Sequence, residues 1–100
     1  MEVTYRTRRL ARCYAEHKQA VQKFGAEVGR RYIQRIDLIK AAQSVDDLPR
    51  LPGLRFHALS GDRQGQYAVD LTGFYRLILT LHGAKLEIVR IEEVSKHYGD

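Results

Sequence analysis

Apolar residues recur along this chain at two different spacings. Between residues 18 and about 42, Val21, Phe24, Val28, Tyr32, Ile36 and Ile39 follow one another at intervals of three or four. That period draws one stripe down an α-helix. Lys23, Arg30, Arg31, Arg35 and Lys40 fall on its other faces. Gly25 lies inside the run and either divides it into two helices or only weakens one. Ahead of it, Val3 and Tyr5 alternate as in a short strand, the basic residues Arg6, Arg8 and Arg9 follow, and a first helix is expected to contain Leu10 to Tyr14.

Helical spacing ends at Ser44. Residues 46–53 include Pro49, Pro52 and Gly53, which rule out continued helix and predict an ordered connector. Four runs rich in β-branched, aromatic or leucine residues come next, at 54–59, 66–71, 75–81 and 86–94, with a glycine in each separator. Strands joined by such short turns form an antiparallel meander. The predicted class is α+β, in the order β-α-(α)-β-β-β-β, with the N-terminal helices packed on one face of a twisted antiparallel sheet. Alternation assigns Tyr67, Val69 and Leu71, then Tyr75, Leu77, Leu79 and Leu81, to the core face. The opposite face takes Ala68, Asp70, Arg76, Ile78 and Thr80, which predicts a shallow open groove suited to chemistry.

A chain of 100 residues has room for a single domain, 1–100. Its lone cysteine, Cys13, excludes an internal disulfide or a cysteine-based zinc site. With no charged-then-apolar leader, the expected compartment is the reduced cytoplasm. No apolar run approaches the roughly 18 residues that span a bilayer. Charge sharpens the picture, because the net +5 is unevenly spread: ten Lys and Arg face four Asp and Glu up to Lys40, and seven face eight beyond it. A basic helical half suits a polyanion such as RNA or an acidic protein partner, the plainer alternative being a solvated helix face.

His17, His57, His82 and His97 are scattered, with no pair at helical spacing, so neither a metal nor another cofactor is expected. The glycines at 61 and 65 bracket a turn with no helix after it, unlike a phosphate-binding loop. Arg55, His57, Asp62, Arg63, Arg76, His97 and Tyr98 remain. Their types suit RNA cleavage without metal. In that reaction the 2′-hydroxyl attacks the adjacent phosphate, so a base, an acid and cations for the phosphorane are needed. His57 shares an alternating set with Arg55, opposite to Phe56, and is either catalytic or a hydrogen-bonded structural histidine. Arg76 stands in the most apolar strand, where an unpaired charge costs several kcal/mol. It must face the groove or pair with an acid such as Asp70. Most aromatic residues fall at core spacing, whereas Phe74 sits at a turn and is the better candidate to stack on a base.

The run Leu51-Pro52-Gly53-Leu54-Arg55-Phe56-His57-Ala58-Leu59-Ser60-Gly61-Asp62, continued through Tyr67-Ala68-Val69-Asp70-Leu71 and Tyr75-Arg76-Leu77-Ile78, resembles the HigB group of RelE/ParE toxins, the plasmid maintenance killer proteins. A weaker match extends from the Arg-rich opening to Ile91-Glu92-Glu93 and His97-Tyr98. The resemblance implies the RelE/ParE-like sheet with helices on one side and a type II toxin that cleaves mRNA on the ribosome. It also implies a cognate antitoxin, commonly with a HigA-like helix-turn-helix domain. Catalytic roles are implied for His57, then Arg76, then His97 and Tyr98, with Arg55 and Arg63 on RNA phosphates. Two positions depart from the pattern: relatives often carry lysine where Ser60 and Gln64 stand, and a C-terminal Asp-Tyr-His order is here Lys96-His97-Tyr98. Fewer cations stabilise the transition state less. A catalytically weakened RNA- or antitoxin-binding domain, or a non-catalytic toxin acting on a protein target such as gyrase, therefore remain as alternatives.

Overall fold

A computed structural model describes residues 1–96. The chain forms β1 (Glu2–Tyr5), α1 (Arg8–Ala15), α2 (His17–Phe24), α3 (Ala26–Ala41), a 3-10 segment (Val45–Arg50), β2 (His57–Ala58), β3 (Tyr67–Asp70), β4 (Tyr75–His82) and β5 (Ile88–Lys96). Thr7 starts α1 by accepting the Leu10 amide on its hydroxyl. Gly25 divides the long apolar run: its φ of +88° is open to glycine at little cost, and α2 and α3 meet there at an angle.

The sheet order is β1-β5-β4-β3-β2. The last four strands are the expected antiparallel meander. β1, by contrast, lies parallel to β5, so the sheet is mixed. The helical layer carries the chain across the sheet between them, which is what a parallel pairing requires. Two strands depart most from their expected bounds. β2 shrinks from 54–59 to two residues because Arg55 takes a left-handed φ of 49° and Leu54 turns into the core. β5 begins two residues late because Leu86, at φ 55°, belongs to the preceding turn.

Helices cover one sheet face. Leu10, Cys13, Ala20, Val28, Tyr32, Ile36 and Ile39 meet Val69, Leu71, Leu77, Leu79, Val89 and Ile91 there, with Leu48 and Leu54 closing one end. Each large apolar side chain so buried contributes about 1.5–3 kcal/mol. Tyr67, Tyr75 and Leu81 border this core half-buried. Arg35, expected on a solvated helix face, is instead 8 % exposed. It lies three residues after Tyr32, within the inward stripe, and its Nε donates to the Asp70 carbonyl at 2.9 Å. Burial lowers its pKa, the nearby Arg31 charge adds to that, and Asp70 opposes it.

Two close fits lead to stability predictions. A Cβ on Gly29 would sit 2.9 Å from the Ala20 carbonyl atoms of α2, so Gly29→Ala must push the helices apart. We expect a loss of about 1–3 kcal/mol, read as a lower urea midpoint. An unchanged midpoint would show that the helix pair yields freely. The second fit concerns two buried phenols. Tyr32 donates to the Leu10 carbonyl at 2.7 Å, whereas the buried Tyr5 hydroxyl has no partner. Tyr32→Phe should therefore cost about 1 kcal/mol and Tyr5→Phe should be neutral or stabilising. Burial, then the Tyr14 and Asp37 charges, push the Tyr5 phenol from 10.0 up to about 12. A pKa raised in the folded state gives stability that is full below pH 10 and lost as pH climbs toward 12. Tyr5→Phe should flatten that alkaline decline in a melt series, and an unaltered slope would speak against it.

Candidate functional site

The face of the sheet away from the helices carries the polar residues, in rows set by strand register. Asp70 lies opposite Arg76 and Arg76 opposite Ser95. The Asp70 amide donates to the Leu54 carbonyl at 2.9 Å, which brings the Arg55 guanidinium within 3.3 Å of the Asp70 carboxylate. Arg55, Asp70, Arg76 and Ser95 thus form one row. The next row is His57, Ala68, Ile78 and Glu93. Alternation was enough to place His57, Arg55 and Arg76 on one side.

Asp70 is the hub. Its carboxylate holds Arg55, its amide ties the connector to β3, and its carbonyl receives Arg35 from the helical layer. Arg31 reaches the neighbouring Leu71 carbonyl at 3.4 Å. Of the two readings for Arg76, the carboxylate pairing goes to Arg55 instead. Arg76 lies across from Asp70, and its Nε is buried without a hydrogen-bond partner. An unpaired guanidinium nitrogen of this kind is costly unless something polar fills the gap.

His57 Nδ1 stands 2.7 Å from the Arg55 carbonyl. A carbonyl only accepts, so Nδ1 carries the proton and a neutral ring keeps its free lone pair on Nε2. The left-handed turn at Arg55 aims that carbonyl back at the ring, a local strain of order 1 kcal/mol held in place by its neighbours. The geometry leaves an exposed imidazole with Nε2 able to take a proton.

Arg63 ends the short 3-10 turn at 61–63 and reaches over the same face. Its Nη1 donates to Gln66 at 2.9 Å and approaches the Glu93 carboxylate of β5 at 3.5 Å. Ala68 and Ile78, between His57 and Glu93 in their row, are fully buried on a face no helix covers. Asp62, in the same turn, is exposed.

A β-bulge gives Glu92 and Glu93 access to this face together. Ile78 pairs with Glu93 and Leu79 with Ile91, which leaves Glu92 as the extra residue. Glu92 accepts from Thr80 Oγ1 at 2.6 Å and lies 3.5 Å from Arg90 and 3.9 Å from Arg6. His82 Nε2 completes the chain at 2.8 Å from Thr80 Oγ1. Sequence reasoning missed these carboxylates, although two consecutive acids in an alternating strand are a bulge signal. His97 and Tyr98 lie outside the described residues. Among the described residues, no three His, Cys, Asp or Glu side chains gather where they could hold a metal ion.

A cleft of about 540 Å³ lies where the β1–α1 turn meets β5, lined by Leu10, Phe24, Val28 and Val94 together with the charged residues Arg6, Arg9, Lys23, Glu92 and Glu93. It touches none of Arg55, His57, Arg63 or Arg76. Chemistry on this molecule is better sought on the polar sheet face.

No protein-family model matches the chain. No curated protein matches it either. Solved structures do. A YoeB/ParE toxin from Agrobacterium tumefaciens is 20 % identical with a TM-score of 0.61, over 98 % of this chain and 100 % of that one. A YoeB–YefM complex from Staphylococcus aureus gives 14 % and 0.60, and YafQ from E. coli 17 % and 0.60, each over 98 % of both chains. The chain therefore has the RelE/ParE-like α+β fold, shared from end to end with these toxins.

Proposed function

We propose that this chain is the toxin of a type II toxin–antitoxin system, of the HigB group, and that it cleaves mRNA on the ribosome without a metal ion. The carrying observation is the shared sheet face on which His57, with its Nε2 lone pair free, stands one row from Arg76, whose Nε lacks a partner. The toxin fold and the sequence resemblance supply the reaction class.

In this reading His57 Nε2 accepts the proton of the 2′-hydroxyl, whose oxygen bonds to the adjacent phosphorus as the bond to the 5′-oxygen breaks. Arg76 holds the equatorial oxygens of the phosphorane, and His97 or Tyr98 gives a proton to the leaving oxygen. The products are a 2′,3′-cyclic phosphate and a free 5′-hydroxyl. Arg55 and Arg63 contact flanking phosphates, exchanging the carboxylates of Asp70 and Glu93 for RNA. The partners are the ribosome with its mRNA, in the cytoplasm, and a HigA-like helix-turn-helix antitoxin. The cleft in which Arg6, Arg9 and Lys23 outnumber Glu92 and Glu93 is suited to an acidic antitoxin segment.

The prior engagement of both Arg55 and Arg63 favours a second reading, a non-catalytic toxin that binds a protein target such as gyrase. Mapping transcript ends after induction separates the two. Codon-linked cuts are expected here, and DNA damage without such cuts would favour the other.

Removing a positioned general base costs on the order of 10²–10⁴ in rate. His57→Ala should therefore abolish growth arrest and lower mRNA cleavage at least about 100-fold, and cleavage equal to wild type would remove His57 from the mechanism. Glu93→Gln should free Arg63 and tighten binding of single-stranded RNA several-fold at low salt, the gain shrinking as salt rises. Weaker binding by this variant would mean that Glu93 positions Arg63 instead of occupying it.

A further inference from the structure

Two large apolar side chains stand out as exposed among the described residues, Phe74 at 70 % and Leu86 at 42 %. Phe74 does not owe its exposure to a slack loop. The Leu71 and Thr72 amides donate to the Tyr75 carbonyl at 2.9 and 3.1 Å. The Thr72 hydroxyl accepts the Phe74 and Tyr75 amides at 3.1 and 3.2 Å. The turn is cross-tied at both ends, and it presents an aromatic ring to solvent in a fixed place.

Its location gives that ring a use. Tyr75 turns toward the helices and lines the cleft with Phe24 and Val28. Alternation then puts Phe74 on the side of Arg76, two residues on and about 7 Å away along the strand. A guanidinium with an unpartnered Nε beside a rigid bare ring matches the two halves of a nucleotide, phosphate and base. A peptide partner would explain the ring alone.

We propose that Phe74 is a stacking platform for the unpaired nucleobase attached to the phosphate that Arg76 holds, an inference that rests on the RNA-cleaving reading. Because that phosphate is the scissile one, the base belongs to the mRNA. Stacking of this type tolerates any base, because each has a π-face, and the preset turn keeps its entropic cost low. Phe74 would then fix the register of the scissile phosphate without taking part in proton transfer.

The chain contains no tryptophan, so Phe74→Trp introduces a single reporter. The probe is a short 2′-O-methyl oligoribonucleotide, which lacks the attacking hydroxyl. We expect Phe74→Ala to weaken its binding about ten-fold by fluorescence anisotropy. Phe74→Trp should bind like wild type and lose fluorescence as the oligonucleotide is added, while inorganic polyphosphate, which has no bases, binds without quenching. Pelleting Phe74→Ala with ribosomes checks the source: a defect only when mRNA is present is expected, and an equal defect on ribosomes without mRNA overturns the assignment to an mRNA base. Wild-type affinity in Phe74→Ala together with an unquenched Trp variant, while the wild type still cleaves mRNA, overturns this inference and leaves the nuclease reading intact. A wild-type chain that neither binds the oligonucleotide nor cleaves mRNA overturns both.

Discussion

Arg35 reaches up from α3 and donates to the Asp70 carbonyl, and the arrangement of the polar face depends on that tie. Asp70 is the last residue of β3, where a strand end would otherwise fray toward the turn. Fixing its carbonyl from below orients its carboxylate above, which positions Arg55, whose carbonyl in turn orients His57. A buried charge thus acts as a strut between the two layers. Its desolvation is tolerable because the guanidinium gives its hydrogens to protein acceptors, Asp70 and Gln34.

Above that strut, charge is arranged in opposed pairs. Arg55 meets Asp70, Arg63 meets Glu93, and Arg90 with Arg6 meets Glu92. Glu92 is largely buried. The more exposed Arg55–Asp70 and Arg63–Glu93 pairs are worth at most about 1 kcal/mol each, so a polyanion can trade places with Asp70 and Glu93 in these pairs at small cost. Arg76 differs from them, since its Nε has no hydrogen-bond partner to give up. A face built this way sets five arginines against three carboxylates when empty, and its cations can be regrouped around a phosphate backbone.

Much of this was legible in the sequence where a short-range period governs. The stripe from Val21 to Ile39 became two helices with their apolar sides inward, and alternation sorted Val69, Leu71, Leu77 and Leu79 from Asp70 and Arg76. What escaped depended on register between distant segments. Nothing near Val3 announces that β1 runs parallel to β5, and nothing near Arg35 reveals a carbonyl waiting in β3. The two-residue β2 escaped for a local reason, because a left-handed arginine at 55 is a choice few sequence patterns encode. Of the site, the residue types and the shared face of His57 and Arg76 were readable. Asp70 was readable on that face too, whereas the places of Glu92 and Glu93 were not, because they depend on the bulge in β5.

The pairing of Glu2 to Tyr5 with Ile88 to Ile91 also governs when the molecule can exist. It joins segments more than eighty residues apart, so its loop-closure entropy is met only once β5 has been made. On the ribosome the first strand and the three helices emerge early and wait, because the strand that flanks them has not been translated. Glu93 and Ser95, which complete the polar face, arrive with that same late strand. A cell making this protein holds no assembled site until β5 has been made, and a partner that recognises the early helices has that interval in which to bind first.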